Sequence, residues 1–290
     1  MAELSYQRPA GKIRRKKSLV RRISDNKAVR KSSTVVLPLL LGILIFVLWQ
    51  KQVLHIWFGT DVFTLPLPTK IAALFGENLS DVWTNSLATI QAAGLGLIFG
   101  SILGYSIAVL ATFFPDMGKG GLNIAGAFAS IPIAALAPVM NNWTRDVSTE
   151  ASVRSMVSKI LVVMLICAAD MTLNAYRGLT ELKPFSEDLL ATYAASRWKV
   201  LFKLRIPNSV PYIFTALKVS VPASIMTAVV SEYFAEYIIG VGREIRENIV
   251  LAQYSIAWVY IAAACIIGVV AYILLMIVQS VLLKKYRYAS

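Results

Sequence analysis

Histidine occurs once in this chain of 290 residues, cysteine twice, and acids number only 16 against 29 Lys and Arg. Each scarcity excludes something. Cys167 and Cys265 stand alone inside apolar runs, so neither a disulfide framework nor a metal site is read from them. The single histidine, His55, lies near Trp57 without companions for acid–base or metal chemistry. There is no G-x-x-x-x-G-K-[ST] phosphate loop, no H-E-x-x-H, and no Ser/His/Asp set, so no catalytic residues are assigned. Charged residues make up only 16% of the chain and hydrophobic residues 57%, with a mean hydropathy of +0.64. A soluble domain of this length needs more charge on its surface, so the class is an all-α polytopic membrane protein. The first apolar run follows about thirty polar residues, too many for the charged leader of a cleavable signal peptide.

What the chain has in abundance is long apolar stretches. A membrane-crossing helix needs about 20 such residues. Six spans are read: 34–54, 84–112, 122–140, 156–176, 212–231 and 256–283. The third and fifth contain proline, which membrane helices tolerate where neighbours satisfy the freed carbonyls. Residues 1–31 form a basic tail with eleven Lys and Arg against two acids and few apolar residues. Such a tail reads as a disordered topology signal beside anionic lipid rather than as a nucleic-acid arm. With the tail in the cytoplasm, Lys119, the 177–205 segment and Lys284, Lys285 and Arg287 also fall inside, and both termini are cytoplasmic. Arg145, Arg154, Lys159, Arg243 and Arg246 are then placed outside, against the rule, among acids such as Asp146 and Glu150. The domain reading is a tail (1–31), a first helix with its outer connection (32–83), and a core (84–290).

Three patterns stand out within the spans. Gly96, Gly100 and Gly104 recur every four residues and make a smooth stripe on which another helix can pack closely, within the chain or from a partner. Ser220, Ser224, Thr227 and Ser231 share one face of the fifth span, with Glu232 at its end and Glu236 one turn on. Hydroxyls on one helix face either bond to a neighbouring helix or line a wet path. Asp170 lies in the fourth span, where an isolated carboxylate is expensive and marks an interior or a cavity. Asp170, the four hydroxyls and Glu232 are the candidates for a translocation path.

The longest polar connection runs from Arg177 to Pro211. It reads as an amphipathic helix over about 186–200, and a membrane protein keeps such a helix when something outside the bilayer pushes on it. Its residues resemble the signature of permeases driven by ATP-binding cassettes. Asp188-Leu189-Leu190 stands where the family has Glu-Ala-Ala, Ala194 takes the place of a Gly, and Leu204 and Ile206-Pro207 follow at the family's spacing. Ala195-Ser196-Arg197-Trp198 with Pro207 and Pro211 is similar to the branch of nitrate, sulfonate, taurine and bicarbonate permeases, which also holds thiamine-precursor and riboflavin permeases. The likeness extends over about Leu65–Leu283, through Leu65-Pro66-Leu67-Pro68, Ile131-Pro132, Asn174, Gly178 and Gly240-Val241-Gly242.

The resemblance implies the importer-permease fold in the bacterial inner membrane. It implies as partners an ATPase dimer that holds ATP and Mg, a second permease copy or paralogue, and an extracytoplasmic solute-binding protein. Asp188, Leu189, Leu190, Tyr193, Ala194, Ala195, Ser196, Arg197 and Pro207 would meet the ATPase. The solute is a small organic molecule or an oxyanion. Acids near span ends without a basic residue at mid-depth favour a neutral or cationic vitamin-like heterocycle. The alternative is a secondary transporter or a membrane scaffold without an ATPase.

Overall fold

A computed structural model of the chain describes residues 27–235 and 238–283. The basic residues up to 26, Glu236, and Lys284, Lys285 and Arg287 therefore lie outside the described residues, as does the side chain of Lys119. Every regular element among the described residues is helical. The residues up to Thr60 and those from Asp61 form two compact units.

The first unit holds α1 (Lys27–Gln50) and α2 (Val53–Phe58). Gln52 has φ of 60° and ends the apolar run, and Gly59 at the same φ closes α2. α1 ends at Gln50 and the turn at Gln52 separates it from α2, so the span expected over 34–54 is not one continuous helix.

The second unit is built on four helices long and apolar enough to cross a membrane. These are α4 (Leu79–Phe113), α7 (Ala151–Thr180), the continuous helical run Arg197–Phe234, and α12 (Tyr254–Leu282). Within that run, α9 (Arg197–Val200) passes through a π turn, Leu201–Arg205, into α10 (Ile206–Phe234). Shorter helices connect them: α3 (Pro68–Glu77), α5 (Pro115–Ala129), α6 (Ile133–Trp143), α8 (Ser186–Thr192) and α11 (Val241–Val250).

The single span expected over 122–140 is instead a pair of helices, 120–128 and 133–143, bent by 95°. The cause is local. Pro132 has no N–H to donate and pushes Ile131 out of the helical region, while its own extended backbone opens α6. Counted as one broken span, the pair makes five crossings in this unit.

The core forms where α7 is sandwiched between α4 and α10. The glycine stripe faces α7 within the chain. A Cβ on Gly100 would lie 2.6 Å from the Met164 carbonyl, and one on Gly96 would lie 2.5 Å from the Val163 Cβ. Without side chains there, the two backbones approach closely, and Thr172 donates to the carbonyl of Gly104 at 3.2 Å. Val163 and Cys167, which meet the glycine stripe, also pack with Ile225 and Ala228 of α10.

Candidate functional site

The segment between α7 and α10 is tied down at its start and its end. Asn208 donates its side-chain amide to the carbonyls of Gly178, at 2.8 Å, and Glu181, at 3.0 Å. These carbonyls lie at the end of α7, where no helical N–H remains to reach them. Tyr212 donates to Glu181 Oε2 at 3.1 Å, and a Cβ on Gly178 would lie 2.7 Å from Tyr212 Cβ. At the other end Arg205 grips one oxygen of Glu187 through two nitrogens, at 2.7 and 3.2 Å.

Between these ties the helix expected over 186–200 is broken in two. The first piece, α8, ends at Thr192, and Ala194 turns left-handed with φ of 48°. Ala194 N–H donates to Ala191 O at 2.9 Å and Ala195 N–H to Leu190 O at 3.1 Å. This pair of bonds is the Schellman ending of a helix, whose left-handed residue is most often Gly. This fits the Gly that the resemblance to the permease signature implies at this position. The second piece starts at Ser196, whose hydroxyl accepts from Lys199 N–H at 3.4 Å. The run then tightens into the π turn, with Ile206 N–H reaching back to Leu201 O. Pro207 and Pro211 cannot donate to the ladder beyond, so the usual four-residue register gives way here.

The segment exposes large apolar rings and chains. Phe185 is 81% exposed, Tyr193 76% and Leu189 60%, while Leu190 is half-buried. Asp188, Ala194, Ser196, Arg197 and Pro207 are also exposed, and Ala195 is half-buried. Trp198 is exposed yet anchored, with its ring 5.0 Å from Phe113 of α4 and 6.2 Å from Phe202. A cavity of about 330 Å³ lies behind the segment, lined by Thr112, Phe113, Glu187, Arg197, Leu201 and Arg205. Trp198 thus joins α9 to α4, and the helical run from Arg197 continues into α10, whose Asn208 bonds the end of α7.

The hydroxyl face of α10 turns inward. Ser220, Ser224, Thr227 and Ser231 are all buried, and Ser220 lies beside Cys167 of α7. Ser224 bonds to its own helix, at 2.8 Å to Val221 O. Asp170 is half-buried, and the Ser220 hydroxyl donates to it at 3.5 Å. Thus Asp170 and Ser220 come together, while Glu232 sits twelve residues farther along α10.

Glu232 is not an unpaired acid. Lys159 of α7 lies 3.2 Å from it, and both side chains are fully buried. This corrects the reading of Lys159 as a loop charge. Thr89 of α4 donates to the same carboxylate at 2.9 Å, and Gly242 N–H donates to it at 2.9 Å. Sequence reasoning missed Lys159, Thr89 and Asn85. The available signal was Lys159 itself, a lone cation opening the apolar run Ile160–Ala169, which needs a buried acid as its partner. Outside the spans, burial pushes the Glu244 carboxyl above its ordinary value, against the pull of the adjacent Arg243 guanidinium.

The sequence matches the family described as the binding-protein-dependent transport system inner membrane component over residues 96–288, about two thirds of the chain. It is 25% identical over 208 residues to a formylaminopyrimidine transport permease protein, ThiX, of Halalkalibacterium halodurans, covering 71% of this chain and 78% of that one. It is 26% identical over 196 residues to a probable ABC transporter permease protein of Haemophilus influenzae, covering 68% and 76%. Identity to the bicarbonate transport system permease protein CmpB of a Synechocystis strain is 22% over 163 residues, covering 54% and 53%. Together with the apolar helices, these matches make the chain a multi-pass membrane protein that transports rather than catalyses. It belongs to the family of binding-protein-dependent transport system inner membrane components, as a permease subunit of an ATP-binding-cassette importer.

Proposed function

We propose that this permease forms the translocation path for a small organic solute and that a separate ATPase dimer drives it by docking on residues 186–200. The exposed Leu189 and Tyr193 are the apolar anchors, Leu190 supports them from below, and Asp188 and Arg197 supply the polar rim. ATP and Mg are held by the partner, which closes and draws the segment with it. A second permease copy or paralogue completes the path, and an extracytoplasmic binding protein delivers the solute. Both termini face the cytoplasm, as the basic tail dictates. ATP biases a bistable pair of inward- and outward-open states.

The carrying observation is the row of large apolar side chains exposed on a segment that packs on α4 and continues into α10, whose start is bonded to the end of α7. A docking surface needs the first property and a lever needs the second. Purification in mild detergent with mass spectrometry of what accompanies the chain tests it. An ATPase that co-purifies, and is lost on Leu189→Asp with Tyr193→Asp, supports the reading. An ATPase retained by that double variant, or none at all, overturns it.

For the solute, we favour a vitamin-like nitrogen heterocycle over an oxyanion. Support comes from the name of the ThiX relative, a formylaminopyrimidine permease, and from Asp170, half-buried beside Ser220, which suits a neutral or cationic group better than an anion. Glu232 no longer contributes, because Lys159 neutralises it. Asp170→Asn is expected to lower uptake of aminopyrimidines, and unchanged uptake would remove the carboxylate from the path.

A further inference from the structure

Four successive residues, Ile239 to Gly242, have a backbone group bonded to a side chain from one of the long helices. Lys159 Nζ donates to Ile239 O at 2.8 Å. Gly240 N–H donates to Asn85 Oδ1 at 3.0 Å, Val241 N–H to Thr89 Oγ1 at 3.0 Å, and Gly242 N–H to Glu232 Oε2 at 2.9 Å. Asn85 and Thr89 are one turn apart on α4, Lys159 is on α7, and Glu232 is on α10. The turn is thus held by side chains from three helices and leads directly into α11.

The glycines are explained by the same arrangement. Gly240 has φ of 142°, and a Cβ there would run into the Glu232 carboxylate. A Cβ on Gly242 would lie 2.8 Å from Glu232 Cβ. The backbone has to pass this close for its amides to reach the side chains.

Buried ion pairs are weak contributors to net stability, because desolvation offsets the attraction, but they fix geometry where both charges are fully bonded. The Lys159–Glu232 pair is fully buried and each partner also bonds the turn. We infer that Lys159 and Glu232 are positioning residues, which hold the 239–242 turn and the start of α11 against the joined ends of α4, α7 and α10. Transport through the permease then depends on this pair through the place of α11, not through contact with the solute.

Accessibility of Val241 tests this. Val241 is fully buried under the turn, and Val250, at the far end of α11, is 75% exposed. Val241→Cys and Val250→Cys are made separately in a Cys265→Ala background, in membranes, and labelled with a bulky maleimide. With the native pair, position 241 should label at least about tenfold more slowly than position 250. Lys159→Met and Glu232→Gln each strand a buried charge or its partner and should deplete folded chain, whereas the two together, with no charge left, should restore it. In that folded double variant position 241 should label at least about tenfold faster than with the native pair. Protection unchanged in the double variant would overturn the positioning role and leave the pair merely structural. Thr89→Ala provides the same readout should the double variant not fold, since it keeps both charges and removes the acceptor for Val241 N–H, one donor to the carboxylate and a bond to Asn85 O within α4. Fast labelling of Thr89→Ala supports the role, and unchanged protection overturns it. The labelling needs only the chain in membranes, so its failure is separate from a failure of the ATPase to bind.

Discussion

The amide of Ala195 donates to the carbonyl of Leu190 at 3.1 Å, across a residue, Ala194, whose φ is 48°. The closure of α8 therefore depends on a conformation that a Cβ disfavours. Ala194→Gly should raise stability by up to about 1 kcal/mol, the steric gain being partly offset by the entropy of glycine in the unfolded chain. Ala194→Val should lower it. Thermal denaturation of the purified protein in detergent checks both, and a lower melting temperature for the glycine variant would contradict the strain.

Asn208 carries two bonds to carbonyls at the end of α7. Asn208→Leu keeps the bulk and removes both donors. It should cost about 1–3 kcal/mol, the penalty for leaving such groups unsatisfied. Proteolysis between α7 and α10 should also accelerate, because this bond ties the segment to the span before it. Wild-type proteolysis rates in the variant would mean that water replaces the amide without loss.

Two glycine substitutions separate packing from helix propensity. A Cβ on Gly100 would meet the Met164 carbonyl at 2.6 Å and Cys167 Cβ at 2.9 Å, whereas Gly126 has nothing within 4 Å. Gly100→Ala should destabilise by about 1–3 kcal/mol through overpacking. Gly126→Ala should be neutral or stabilising by up to about 1 kcal/mol, since alanine is the better helix former. Melting temperatures of the two variants side by side decide it; equal effects would mean that α4 and α7 are farther apart than described.

The Glu187–Arg205 pair joins α8 to the π turn, yet Glu187 remains half-exposed. Exposed pairs contribute little, so Glu187→Gln should change stability by less than about 1 kcal/mol. A loss of ATP-driven uptake well beyond that would then report the geometry of the lever rather than unfolding. Loss of both in proportion would assign the pair to stability alone.

The membrane class, the four long helices and the family were legible in the sequence. Each rests on local information: runs of apolar residues long enough for a helix to cross, and a spaced signature in one loop. The kink at Pro132 was also present in the residues, but a proline within an apolar run bends some membrane helices sharply and others hardly at all, and neighbours decide which. The break at Ala194 was equally hidden, because alanine gives no local sign of a left-handed backbone.

What only the tertiary structure decided are relationships between residues far apart in the chain. Lys159 and Glu232 are separated by 73 positions, and Thr89 and Glu232 by 143. Which residue of a helix faces which neighbour depends on its rotation about its axis, and that is set by packing against the whole bundle. The glycine stripe reads as small whatever it touches, and the structure alone assigns it to α7. The hydroxyl stripe of α10 is visible as a periodicity, but only packing turns it inward. The sequence by itself determined that this chain crosses a membrane several times and belongs to the importer permeases. The fold decided which charges pair, because pairing requires two helices to present those residues to each other at one depth.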